Sequence, residues 1–219
     1  MRISYLFDFD GTLVDSMPTF VSAMLRILDE NGIPYDKNIV KTITPLGLNG
    51  TAEYYIGNLG LNMHKEQLLS LMKEYMLDAY FYTIPAKPNV TSTLKMLKQQ
   101  GARLNVLTAS PHITLDACLK RLGIWELFDN VWSCDDFHTT KADPQIYIRA
   151  AQRLHSSVDK VLFLDDNLDA DTVAKSAGMM VCGVYDATSE DYIDQIKSTT
   201  DFYIYSFEEL LTLDIDKKA

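Results

Sequence analysis

The sequence predicts an α/β protein built on a parallel sheet, with an all-helical segment inserted after the first strand. Three observations predict it. An apolar run at residues 3–7 has the length of a buried strand and stops at two carboxylates, Asp8 and Asp10. Residues 16–83 keep helical apolar spacing, and no strand pattern interrupts them. From residue 84 onward short apolar runs alternate with helical stretches, the spacing of βαβ units in a parallel sheet. The expected organisation is therefore a core of residues 1–15 and 84–219 with a helical domain, residues 16–83, set into it.

Each element has a local reason. Asp8 and Asp10 are spaced i, i+2, which on extended backbone puts both side chains on one face. Gly11 then lets the chain leave the strand in a conformation closed to other residues. Ser16 is placed to cap a helix and Pro18 suits its first turn. Phe20, Met24, Leu25, Ile27 and Leu28 carry that helix to Asn31-Gly32. Residues 36–82 stay helical, with breaks at 44–47 and 57–62, and 67–77 are the strongest helix among them. Further helices are expected at 91–100, 113–122, 144–154, 170–177 and 191–197. Strands are expected at 103–107, 130–132, 160–164, 180–184 and 202–205, the last followed by a terminal helix.

Composition narrows the function classes. The 219 residues are ample for a hydrophobic core without metal or disulfide staples. Thirty acidic against twenty basic residues give a net charge of −10, which argues against nucleic acid or an anionic membrane as partner. Cys118, Cys134 and Cys182 are odd in number, well separated and free of any CxxC spacing, as expected of buried reduced thiols in a cytoplasmic protein. The apolar run before Asp8 is too short for a signal peptide, and no stretch approaches a membrane span.

In open parallel sheets, sites form at the carboxyl ends of strands. Four such ends carry polar residues here. The first delivers Asp8 and Asp10, the strand at 103–107 delivers Thr108, Ala109 and Ser110, and the strand at 160–164 delivers Asp165 and Asp166. Lys141 stands just before the helix at 144–154. Acids in a buried setting need a compensating cation, and hard oxygen ligands suit Mg²⁺. Two acid pairs, a hydroxyl and a lysine are what Mg²⁺-dependent phosphoryl transfer requires: a nucleophile, a metal, and donors for the phosphoryl oxygens. Taken singly these residues have plainer explanations: Lys141 as a surface lysine, Thr108 as a helix cap, Asp165-Asp166 as a solvated helix start. Their joint order overturns those explanations. His64, His112, His138 and His155 have no metal-ligand spacing, and His112 lies closest to the expected site. Tyr80-Phe81-Tyr82 reads as core and hinge packing.

The order also resembles a known family. Asp8-Phe9-Asp10-Gly11-Thr12-Leu13-Val14 is similar to the DxDGT motif that opens the haloacid dehalogenase-like (HAD) hydrolases. Leu107-Thr108-Ala109-Ser110 resembles their second motif. Lys141-Ala142-Asp143-Pro144 resembles the third, with Ala142 where Pro is usual, and Phe163-Leu164-Asp165-Asp166-Asn167 the fourth. The resemblance, closest to the phosphoglycolate phosphatase and β-phosphoglucomutase branch, implies a Rossmann-like core with a helical cap at residues 16–83. It implies Asp8 as the nucleophile that becomes an aspartyl-phosphate, and Asp10 as general acid and base with its carbonyl on Mg²⁺. It further implies Thr108, Ala109, Lys141, Gly11 and Thr12 as phosphate-binding, Asp166 as a direct Mg²⁺ ligand, and Asp165 as a direct or water-mediated one. Where many relatives place a further Asp this chain has Ala170, and Asp169 or Asp171 could stand in. In the cap, the loop at 44–50 is the expected substrate-reading segment, with Lys41 nearby as a source of positive charge.

The expected activity is hydrolysis of a small phosphorylated metabolite by a monomer or weak dimer. Haloacid dehalogenation needs neither Asp10 nor Mg²⁺. The β-phosphoglucomutase relatives carry a cap His where this chain has Phe20, and no cap lysine is placed for phosphonatase chemistry. A phosphosugar mutase is the first alternative, which Phe20 disfavours without excluding; haloacid dehalogenation and a non-catalytic binding protein stand behind it.

Overall fold

The computed structural model describes residues 4–36, 38–43 and 46–215. The chain divides into two compact units: Ser16–Ile84, and a second formed by the chain on either side of it.

The second unit opens with β1 (Ser4–Phe7), all four residues of which are buried. Residue 3, the expected first strand residue, lies outside the described chain. The strands β2 (Arg103–Thr108), β3 (Asn130–Ser133), β4 (Val161–Asp165), β5 (Met180–Val184) and β6 (Phe202–Ile204) complete one six-stranded sheet in the order β3-β2-β1-β4-β5-β6. Every pairing is parallel, and β1 sits between β2 and β4 with Ser4 opposite both Arg103 and Val161. The strand order reverses at β1, so the topological switch point falls where β1 and β4 end. One face carries a cluster including Leu6, Leu107, Tyr147, Phe163 and Val181. Burying each such side chain stabilises the fold by about 1.5–3 kcal/mol, which is why near-continuous apolar runs occupy the central strands. On Phe7 the rings of Tyr5, Phe128 and Phe207 pack at 5.9–6.3 Å.

Helices α5 (Val90–Gln99), α6 (His112–Arg121), α7 (Pro144–Arg153), α8 (Leu168–Ser176) and α9 (Ile193–Thr199) belong to this unit, and α1 to α4 to the other. Asp143 and Asn167 cap α7 and α8 through their side chains. The helix expected after the last strand is instead a 3₁₀ segment, Phe207–Leu211. A Ser206–Glu209 capping box starts it, and the tighter i→i+3 turn suits so short a piece. Cys118, Cys134 and Cys182 are all buried and free. Among the described residues no helix is long and apolar enough to cross a membrane.

The other unit holds α1 (Met17–Glu30), α2 (Ile39–Ile43), α3 (Gly47–Gly57) and α4 (Lys65–Tyr82). Met24, Ile27 and Leu28 of α1, at i, i+3, i+4, are fully buried against Ile43, Tyr55, Leu68 and Met72. Pro18 lies in the first turn as expected. Ser16 takes the cap position but in helical backbone geometry, and its hydroxyl makes no capping bond. Tyr80 is buried, whereas Tyr82 is largely exposed and packs no core. In the loop expected to read substrate, residues 44 and 45 lie outside the described chain.

The chain runs between the units through a paired segment. Val14 bridges Ala86 antiparallel, the Asp15 N–H donates to the Pro85 carbonyl at 3.0 Å, and the Lys87 N–H to that of Leu13 at 3.0 Å.

Candidate active site

The strand β1 ends at Phe7, so Asp8 and Asp10 follow it directly, Asp10 in an isolated bridge to Val14. Asp8 still follows the sheet: its N–H donates to the Leu164 carbonyl at 2.8 Å, which holds it against the end of β4. Gly11 has φ +75°, and a Cβ there would stand 2.5 Å from an Asp166 oxygen. Only glycine therefore lets the two loops approach. Thr12, fully buried, donates its hydroxyl to Asp166 Oδ1 at 3.0 Å.

A cavity of about 350 Å³ opens at these strand ends. Asp8, Asp10, Thr108, Ala109, Lys141, Asp165 and Asp166 all line it. Gly11 and Thr12 do not line it; they act through Asp166 behind the wall. Ala170 lines it too, and of the two acids beside it Asp169 reaches the cavity, while Asp171 is fully buried with neither oxygen hydrogen-bonded.

Among the described residues Lys141 is the one cation on the lining. Its ammonium donates to Asp8 and, at 2.7 Å, to Asp165 Oδ2. Its backbone is fixed from beneath, because the buried Tyr147 hydroxyl donates to the Lys141 carbonyl at 3.1 Å. Burial penalises the ammonium, but Asp165 and Asp8 outweigh that and hold its pKa well above the lysine range. Burial pushes the Asp8 carboxyl up to about 7, with Lys141 working against the shift and Asp165 adding to it. Burial, then Asp165 and Asp8, likewise push Asp166 well above the usual carboxylate range.

Asp8, Asp165 and Asp166 each offer an oxygen within 4.8 Å of the others. An all-carboxylate donor set suits a hard divalent cation, which would offset the burial and the repulsion that raise these pKa values. Asp165 already accepts from Lys141 on one oxygen and from the Asn167 N–H, at 2.9 Å, on the other. Asp10 accepts from the Ser110 hydroxyl, and the Thr108 hydroxyl oxygen accepts the Ser110 N–H at 3.1 Å. His112 stands clear of the cavity lining, its two ring nitrogens each 2.8 Å from a carboxylate, Asp116 and Asp136. The bond from Ser110 to Asp10 links residues a hundred positions apart and has no sequence signature.

A parallel α/β sheet with paired acids, a hydroxyl and a lysine at its switch point places the chain in a class, the Rossmann-like α/β hydrolases. The chain belongs to the haloacid dehalogenase-like hydrolase family, whose model matches residues 5–184. It is 28% identical over 192 residues to a phosphoglycolate phosphatase of Psychrobacter arcticus, covering 82% of this chain and 81% of that one. A phosphorylated carbohydrates phosphatase of Thermotoga maritima is 25% identical over 80% of this chain and 81% of its own length. The fold is also that of a HAD family hydrolase of Deinococcus radiodurans crystallised with phosphate and sodium. That match has a TM-score of 0.79 and 20% identity, over 95% of this chain and 93% of that one.

Proposed function

We propose that this protein is a Mg²⁺-dependent phosphatase that hydrolyses a small phosphomonoester through an aspartyl-phosphate on Asp8. The observation that carries this reading is the Lys141 ammonium bonded to both Asp8 and Asp165 on the wall of a cavity that also presents Asp10, Thr108 and Asp166. The names of the two bacterial relatives support a phosphosugar or phosphoglycolate-sized substrate.

In the first step an Asp8 oxygen attacks phosphorus while the bond to the leaving alcohol breaks, and Asp10 gives that oxygen its proton. In the second step Asp10 takes a proton from the water that attacks phosphorus, which releases phosphate and restores Asp8. The Ser110 hydroxyl on Asp10 orients its carboxyl for both transfers. Because the Thr108 oxygen accepts from Ser110, its own proton is directed elsewhere and serves a phosphoryl oxygen. Lys141 keeps Asp8 ionised and in place, and offers positive charge to the transferring group. Asp8, Asp166 and the Asp10 carbonyl would hold Mg²⁺, with Asp165, whose oxygens both already accept protein donors, coordinating more remotely. Mg²⁺ held there would supply positive charge that offsets the repulsion between the Asp8 carboxylate and the phosphate anion. Residues 16–83 serve as the cap that selects the substrate.

The test is phosphate release from a panel of phosphomonoesters, including an aryl phosphate and phosphoglycolate, with Mg²⁺, with EDTA, and with Asp8→Asn. Turnover that requires Mg²⁺ and falls by roughly 10⁴-fold or more in Asp8→Asn is expected. Turnover that survives EDTA or the substitution sinks the reading.

A further inference from the structure

Lys87 has no role in that mechanism, yet its side chain is only 14% exposed and its ammonium satisfies all three donors. It donates to the Gly11 carbonyl at 2.6 Å, to the Tyr185 carbonyl at 2.5 Å and to Asp186 Oδ2 at 3.0 Å. The Asp186 carboxylate is buried, and its other oxygen accepts from the Thr188 N–H and hydroxyl. A lysine held this fully is costly to desolvate, and it is pinned to one peptide group of the catalytic turn. That peptide joins Gly11, whose Cα packs on the Asp166 carboxylate, to Thr12, whose hydroxyl donates to Asp166.

We propose that Lys87 is a positioning residue for the divalent-cation site: by fixing the Gly11–Thr12 peptide against the end of β5, it sets where the Asp166 carboxylate stands. This deepens the phosphatase reading and rests on its assignment of Asp166 as a metal ligand. Two effects of removing Lys87 have opposite sign, and that makes the proposal testable. An ammonium opposes a nearby cation by charge alone, so loss of the charge tightens cation binding. Loss of an outer support for a ligand weakens it, typically by about 10–100-fold. A plain structural staple would change stability without loosening the cation.

The experiment titrates Mn²⁺ and Mg²⁺ into the full-length protein without substrate, by electron paramagnetic resonance and calorimetry. It compares wild type, Lys87→Met, Asp166→Asn and the double variant Lys87→Met/Asp186→Asn. The double variant removes one positive and one negative charge together, so it isolates geometry from charge and spares the fold an unpaired buried carboxylate. If Lys87→Met does not fold, the double variant carries the test. The expected result is cation binding weakened about tenfold in both Lys87 variants, with the melting temperature in EDTA recovered in the double variant. Unchanged or tighter binding in the double variant overturns the proposal. A wild-type protein that binds no cation, or an Asp166→Asn protein that binds as tightly as wild type, removes the metal assignment itself. A cation that depends on Asp166 but ignores Lys87 removes the positioning role alone.

Discussion

The two units bury different chemistry. In Ser16–Ile84 the buried polar side chains among the described residues are Ser16 and Thr51, and its ion pairs, Arg26 with Glu30 and Lys65 with Glu53, lie at the surface. The α/β unit buries the carboxylates of Asp8, Asp165, Asp171 and Asp186, and leaves Lys141 and Lys87 only 15% and 14% exposed. The helical unit is held chiefly by apolar packing, and it buries no charged side chain among the described residues. The α/β unit gives up stability to keep like charges together. Like charges are thus held together under burial in one unit alone, in an arrangement that a bound counter-charge would relieve.

The largest test of that contrast is Lys141→Met. It leaves Asp8 and Asp165 buried without their cation, at a cost of about 3–5 kcal/mol. It also removes a donor to the transferring group, for a loss of about 10²–10³ in kcat. Thermal denaturation and phosphate release measure the two effects, and an unchanged melting temperature would break the contrast. Metal removal comes next. A cation that binds only the native state contributes about 2.7 kcal/mol at a hundred times its Kd. For a chain of this size that raises the melting temperature by about 5–10 °C, which EDTA should reverse in calorimetry. The shift should vanish in Asp166→Asn.

The helical unit offers the opposite case. Tyr55→Phe deletes a buried hydroxyl that donates to the Met24 carbonyl at 3.1 Å. It should cost about 1 kcal/mol and leave kcat and KM unchanged. An activity loss without a stability loss would contradict the division. The smallest effect sharpens the rule that burial, rather than unit, sets the size. His112 has its pKa raised, first by the Asp116 hydrogen bond, with burial working against the shift and Asp136 adding to it, but its side chain is 40% exposed. A raised pKa means that its stabilisation is complete below the ordinary histidine pKa of about 6.5 and is lost as pH rises through the shifted value. His112→Gln should therefore lower the melting temperature more at pH 5.5 than at pH 8.5, by less than about 1 kcal/mol.

How much of this was legible in the sequence follows from the same contrast. The parallel sheet could be read because buried strands are near-continuous apolar runs, and Met180–Val184 falls where its run predicts. The gathering of Asp8, Asp10, Thr108, Lys141, Asp165 and Asp166 could be read because each follows a strand or precedes a helix in a set order. Lys141 alone looks like a surface residue; its burial between two acids depends on where β1 and β4 meet, which no local pattern encodes. Lys87 sits in a short proline-flanked linker without periodicity, and its partners are 76 to 99 positions away. Asp169 and Asp171 differ only by which side of α8 they occupy, so spacing left both open, and the structure places Asp169 on the cavity and Asp171 in the interior. Ser16 has the right residue type for a cap, but its backbone geometry denies it the bond.

The paired segment at Val14–Ala86 and Asp15–Pro85 has a consequence for how such a protein diversifies. Two chain ends that leave a scaffold side by side are the arrangement that tolerates insertion and exchange. What lies between them can be lengthened, shortened or replaced at little entropic cost, because the host has already closed the gap. The phosphoryl chemistry can then be inherited intact while the inserted module drifts, and a lineage can acquire a new metabolite without rebuilding its sheet.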